Sequence, residues 1–207
     1  MKIILASKSP RRKEILENLG VKFEIITAET DESSETREPS TLVRELSIRK
    51  GCAVADKIIN EDLMGGESGE ALVISSDTVV ASGGEILGKP SDLDNAREML
   101  SRLEGKDHSV FSGVAVIRIV GGRVEKIAAA VEETVVRFAP MTEKEIEFYI
   151  NNENVLDKAG AYAIQGIASA WIEKIDGDYF NVVGLPVRRL FKLLCDEFGL
   201  SLENMRV

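Results

Sequence analysis

Apolar residues along this chain come in blocks of two kinds, short continuous runs and stripes three or four residues apart. The run at 2–6 predicts a buried strand. Ser7-Lys8-Ser9 then turns the chain, and Ser9 suits a helix N-cap. Pro10 suits the first helical position and Gly20 the stop, with Ile15, Leu16 and Leu19 on one face. A short strand is expected at 21–26. The acidic stretch 27–39 reads as a loop. Ser40 is expected to cap a helix to about residue 59, striped by Leu42, Val43, Leu46, Ala53 and Val54. Residues 60–70, with Gly65-Gly66 and Gly69, read as a second loop.

A buried strand is expected at 71–81, turned by Ser82-Gly83-Gly84 into 85–87. Ser91 suits the cap of a helix to about residue 103. Gly121-Gly122 joins the β-rich stretches 108–120 and 123–138 as a hairpin. Thr142 and Glu145 form a capping box for a helix to about residue 151. Residues 155–167 show no clear period. A second hairpin is expected about Asp176-Gly177, between strands at 168–175 and 178–183. Pro186 opens a last helix that ends at Gly199. Strand–helix units beside hairpins predict an α/β fold. It has three layers, a mixed sheet with helices on both sides and two lobes, all in one unit spanning 1–207.

Composition narrows the function. The chain has 207 residues, 44% of them apolar, enough for a sizeable core. Its formal charge is −9, which argues against broad binding to nucleic acid or an anionic membrane. No apolar run approaches a membrane span, and the N-terminal run is too short for a signal peptide. Cys52 and Cys195 form no spaced motif and are expected to pack as small apolar residues in a reduced compartment. Phe148 and Trp171 are expected in the core, and His108 reads as a structural histidine.

Four segments break local stability rules, which is where function tends to show. A helix N-terminus favours acidic residues, yet Ser7-Lys8-Ser9-Pro10-Arg11-Arg12 is basic. It is either a basic surface turn or an anion site of exposed N–H groups, hydroxyls and guanidinium groups. Asp77 interrupts an apolar strand, as a structural carboxylate or as a metal ligand or general base. In Gly88-Lys89-Pro90, Pro90 extends the backbone at Lys89, which becomes either a solvated turn lysine or a phosphate contact. In the segment 157–166, Gln165 either reads a base edge or sits in a tight turn. Asp31-Glu32 can supply a second carboxylate.

Taken in order, these segments resemble the Maf family of nucleoside triphosphate pyrophosphatases. The matching residues are Ser7 to Arg12, Asp31-Glu32, Lys50, Asp77-Thr78, Gly88-Lys89-Pro90, His108 with Ser112-Gly113, 157–166, and Gly177 through Pro186. Ser75-Ser76 departs from the commoner Gly-Ala or Gly-Ser pair. The resemblance implies an inosine triphosphatase-like (Maf/Ham) fold around a cleft. It also implies cleavage between the α and β phosphates with a divalent cation, Mg²⁺ or Mn²⁺. Asp77-Thr78 resembles the branch acting on dTTP and UTP; 7-methyl-GTP is the alternative, and a nucleotide-binding regulator with little catalysis is another.

The residue types suit that chemistry. Arg11, Arg12, Lys50 and Lys89 balance a triphosphate, and Ser7 holds a phosphate oxygen. Glu32 and Asp77 are the expected metal ligands, and Asp77 the expected base. The catalytic set is therefore Asp77, Lys89 and Glu32. Base choice maps by resemblance onto Arg11, Thr78 and Gln165. The resemblance implies a homodimer; a cytoplasmic location is expected, with no nucleic-acid or membrane partner.

Overall fold

The computed structural model describes residues 1–63 and 69–206, so Gly65-Gly66 lies outside the described residues. The strands are β1 (Lys2–Leu5), β2 (Glu24–Ile25), β3 (Glu70–Ser82), β4 (Glu85–Leu87), β5 (Asp107–Val120), β6 (Arg123–Phe138) and β7 (Ile172–Asp176). The helices are α1 (Pro10–Asn18), α2 (Pro39–Asn60), α3 (Leu93–Leu103), α4 (Glu143–Asn152), α5 (Tyr179–Val183), α6 (Val187–Phe198) and α7 (Leu202–Met205). One seven-stranded sheet runs β2-β1-β3-β5-β6-β7, with β4 also on β3. β1 pairs parallel with β2 and β3, and the remaining pairs are antiparallel. The sheet is mixed, as the alternation of hairpins and strand–helix units predicts.

Three apolar clusters build the layers. Ile15, Leu16, Leu190 and Leu194 of α1 and α6 pack on one face of the sheet. Val54, Ala55 and Ile58 of α2 pack on the other, against Val73, Ala115 and Ile117. The far ends of β3, β5 and β6 pack on α3 and α4 through Leu100, Leu103, Val110, Phe138, Ile146 and Tyr149. Two glycines let α2 approach the sheet. A Cβ at Gly113 would stand 2.1 Å from the Val43 carbonyl oxygen, and one at Gly51 2.1 Å from Ile117 Cδ1.

β3 positions the cleft. One of its edges pairs with β1 over Ala71–Ile74 and with β4 over Val80–Ser82. Residues 75–79 lie between those two registers, at the join between the α1/α6 side and the α3/α4 side. Asp77 and Thr78 fall in that interval.

Several expected local features are corrected. The segment 178–183 is helix α5, not a strand. Its Asp178 side chain accepts from the Phe180 N–H, and Gly184 at φ 121° stops it, so a polar cap and a glycine override β-rich composition. β7 starts at Ile172, after a 3₁₀ turn over Ile167–Trp171. Glu38, not Ser40, caps α2, its longer side chain reaching the Ser40 and Thr41 N–H groups. Asp92, not Ser91, caps α3 through the Asn95 N–H. Ser9 holds the N-cap position without a side-chain bond. Phe148 and Cys195 are exposed, because Ile146, Tyr149 and Ile150 take the inward face of α4 and Leu190 and Leu194 that of α6. Trp171 packs against the α3/α4 core as expected.

Candidate active site

A cleft of about 900 Å³ opens at that interval of β3. Its wall contains Ser7, Arg11, Arg12, Glu32, Lys50, Asp77, Thr78, Lys89 and Gln165. The structure therefore gathers all nine candidate residues from six separate segments. Strand β1 delivers the Ser7–Arg12 turn, α2 delivers Lys50, β3 delivers Asp77 and Thr78, and the loop after β4 delivers Lys89. Glu32 comes from the loop before α2, and Gln165 from the segment after α4.

Lys50 is the electrostatic centre. Its Nζ donates to Asp77 Oδ1 at 2.5 Å and sits 2.9 Å from Glu32 Oε1. Asp77 is buried, and a buried carboxylate needs such a partner. Partial burial pushes the Glu32 carboxyl up. The Lys50 bond and charge, with Lys89 and Arg12 beyond, outweigh that push and hold it below the ordinary glutamate range.

Arg12 is tied to the protein itself. Its Nε donates to the Gly184 carbonyl at 2.7 Å, and its two terminal nitrogens donate to Ser7 Oγ and Thr78 Oγ1 at 3.2 Å each. Burial lowers its pKa, opposed by the Asp77 charge. The Gly184 carbonyl also accepts from Ser76 Oγ at 3.0 Å. Thr78 Oγ1 lies 2.8 Å from Ser112 Oγ, which in turn donates to the Asn181 carbonyl at 3.0 Å. Thr78 is thus on the cleft floor, within a hydroxyl network joining β3, β5 and the turn after α5. Ser76, Ser112 and Asn181 were not among the candidate residues. Polar residues at buried strand positions were the available signal.

Arg11 points to the other wall, where its Nη1 is 3.7 Å from Asp157 Oδ2. Lys158 is buried and donates to Asp157 Oδ1 at 2.8 Å and to the Asn154 carbonyl. Asp157 is pushed up by partial burial, but Lys158 and Arg11 hold it below the usual range. His108 is buried at the start of β5, with Nε2 2.7 Å from the Tyr162 hydroxyl. Burial holds its pKa down to about 4, against the opposing Asp107 charge.

The donor set fits a hard divalent cation in part. Asp77 and Glu32 both reach one ammonium, and these two oxygen-donor carboxylates are the residues that would hold such a cation. Among the described residues, no group of three or more His, Cys, Asp or Glu side chains is placed to hold a metal by itself.

Four cations and two carboxylates line a groove on a mixed α/β sheet, a charge arrangement suited to a polyanion. The chain belongs to the Maf family: the family described as Maf-like protein matches residues 2–197. It is 46% identical to a dTTP/UTP pyrophosphatase of Caldanaerobacter subterraneus subsp. tengcongensis, over 97% of this chain and 91% of the relative. It is 44% identical to a dTTP/UTP pyrophosphatase of Clostridioides difficile, over 98% of each. Among solved structures it is similar to the Ham1 protein of Staphylococcus aureus, at TM-score 0.45 and 11% identity, over 99% of this chain and 93% of that one.

Proposed function

We propose that this protein hydrolyses dTTP and UTP between the α and β phosphates, releasing a nucleoside monophosphate and pyrophosphate. The observation that carries this reading is the Glu32–Lys50–Asp77 set, facing the Ser7–Arg12 turn across one cleft. The relatives' activity supplies the substrate class.

The chain's own residues account for the chemistry. A nucleoside triphosphate carries roughly four negative charges near neutral pH, which Arg11, Arg12, Lys50 and Lys89 offset. Fixed positive charge placed where charge develops lowers the barrier without reorganisation. Ser7 holds a phosphate oxygen at the turn before α1, where exposed N–H groups and the helix dipole favour an anion. The Asp77 carboxylate takes the proton of a water as that water's oxygen bonds to the α phosphorus. The bond from the α phosphorus to the bridging oxygen breaks, and pyrophosphate leaves with that oxygen. Asp77 and Glu32 would hold Mg²⁺ or Mn²⁺, which when bound lowers the pKa of its water and neutralises phosphate charge. Thr78, Gln165 and Arg11 select the base; a site built to pair with one base edge rejects another whose groups leave it unpaired. The same reading includes a homodimer, a cytoplasmic location and one two-lobed unit. Among the described residues no helix is long and apolar enough to cross a membrane.

Hydrolysis of dTTP in ¹⁸O-labelled water tests the bond. Label in dTMP supports attack at the α phosphorus. Label in pyrophosphate, or orthophosphate as the product, overturns it.

A further inference from the structure

The segment that carries Gln165 is held in an unusual way. Gly160 and Ala161 both adopt left-handed backbone, at φ 64° and 63°. Alanine rarely does so, and such residues persist only where the surroundings over-determine them. Gly160 is fixed by its N–H to the Gly88 carbonyl at 3.0 Å, and a Cβ there would stand 2.9 Å from Val80. Tyr162 then enters the α3/α4 core, and two residues later Ile164 enters the α1/α6 core. The segment therefore crosses from one core to the other immediately before Gln165.

Among the described residues, the hydroxyl of Tyr162 has one protein partner, His108 Nε2 at 2.7 Å. His108, Phe138 and Tyr162 pack edge to face, with centroids 4.7 to 5.3 Å apart. Among the described residues, His108 Nδ1 is buried with no hydrogen-bond partner. A buried orphan N–H is rarer than an orphan lone pair. The network thus assigns the hydrogen to Nε2, which donates to the tyrosine oxygen. His108 itself does not line the cleft; Tyr162 and Gln165 do.

We propose that His108 is a positioning residue for base selection: through the Tyr162 hydroxyl it fixes where the 162–165 segment presents Gln165. The proposal rests on Gln165 reading the base. It is distinct from a merely structural role, because it concerns the choice between substrates that differ in the base alone.

The test is the ratio of kcat/KM for dTTP over dCTP, with melting temperature measured in parallel. Tyr162→Phe removes only the hydroxyl and keeps the ring cluster. His108→Phe removes the donor, and His108→Gln keeps a donor near the Nε2 position. The expected result is a roughly two- to twelvefold fall in the ratio for Tyr162→Phe and His108→Phe, the range set by one neutral hydrogen bond, at about 0.5–1.5 kcal/mol. The double variant should fall no further than the worse single, and His108→Gln should restore the ratio. Gln165→Ala is the control. If it changes the ratio while Tyr162→Phe and His108→Phe do not, the positioning role is overturned and base reading stands. A lower melting temperature with an unchanged ratio also overturns it. If Gln165→Ala leaves the ratio unchanged, base reading itself fails and the proposal falls with it.

Discussion

Replacing Arg12 by methionine tests whether this guanidinium is a brace as well as a binding group. Methionine keeps most of the apolar stem and removes three hydrogen bonds, to Gly184, Ser7 and Thr78. Bonds from a charged donor contribute about 1.5–3 kcal/mol each. The simple sum overstates the loss, because every acceptor keeps another partner. Gly184 keeps Ser76, Thr78 keeps Ser112, and Ser7 keeps the Ser9 N–H. No buried acceptor is orphaned, and removing the cation also relieves its desolvation. The expected cost is therefore about 3 kcal/mol, close to one or two such bonds. For a chain of this length that lowers the melting temperature by about 6–12 °C. Arg11→Met is the internal reference. Among the described residues, Arg11 makes one long ion pair, with Asp157 at 3.7 Å, so its loss should move the melting temperature by about 2 °C or less. Thermal unfolding followed by circular dichroism, with both variants at one pH and salt, is the assay. Equal melting temperatures for the two variants would refute the brace.

Three further outcomes are expected. Asp77→Asn, close in shape, should lower turnover by about 10²- to 10⁴-fold while Glu32 still pairs with Lys50, and a folded variant with full turnover would remove Asp77 as the base. His108 has a folded pKa of about 4, below its unfolded value, so the unfolded chain binds the extra proton first. Its contribution is complete above about pH 6.5 and is lost as pH falls toward 4, at most about 3 kcal/mol. Denaturant melts should show that loss in the wild type and not in His108→Gln. Gly113→Ala would push a Cβ into the backbone of α2 at Val43, since 2.1 Å to a carbonyl oxygen admits no side chain. It should cost at least about 2 kcal/mol or fail to fold, as read by soluble yield and urea midpoint.

What the sequence revealed depended on how local the cause was. The β1–turn–α1 unit announced itself through Pro10, and the β5–β6 hairpin through Gly121-Gly122, both at positive φ. The Thr142–Glu145 capping box forms as the spacing implied. These are effects of neighbours in the chain. The α5 segment misled because Tyr-Phe-Asn-Val-Val has strand composition, and only the packing of Val183 and Asn181 with the Asp178 cap decides for helix. The caps of α2 and α3 were misplaced by one or two residues, where adjacent Ser, Glu and Asp compete for the same N–H groups.

The candidate residues that line the cleft could be picked out one by one, because charge, hydroxyls and glycine at odd positions stand out against an acidic, aliphatic chain. Their wiring could not. Nothing in the sequence joins Lys50 to both carboxylates, or directs Arg12 to a carbonyl 172 residues away. Those links follow from β3 spanning the sheet between two sets of partners. The His108–Tyr162 pair was hidden for the same reason, since 54 residues separate two groups that meet only in the folded core.

The central claim is tested most directly by a substrate panel. Purified protein with Mg²⁺ or Mn²⁺ would meet dTTP, UTP, CTP, dCTP, 7-methyl-GTP, ITP, ATP and GTP, with pyrophosphate and orthophosphate measured separately. The account predicts pyrophosphate release led by dTTP and UTP. Release led by 7-methyl-GTP or ITP would contradict the base assignment while keeping the reaction. Orthophosphate alone, or no release with any nucleotide and either metal, would contradict the account itself.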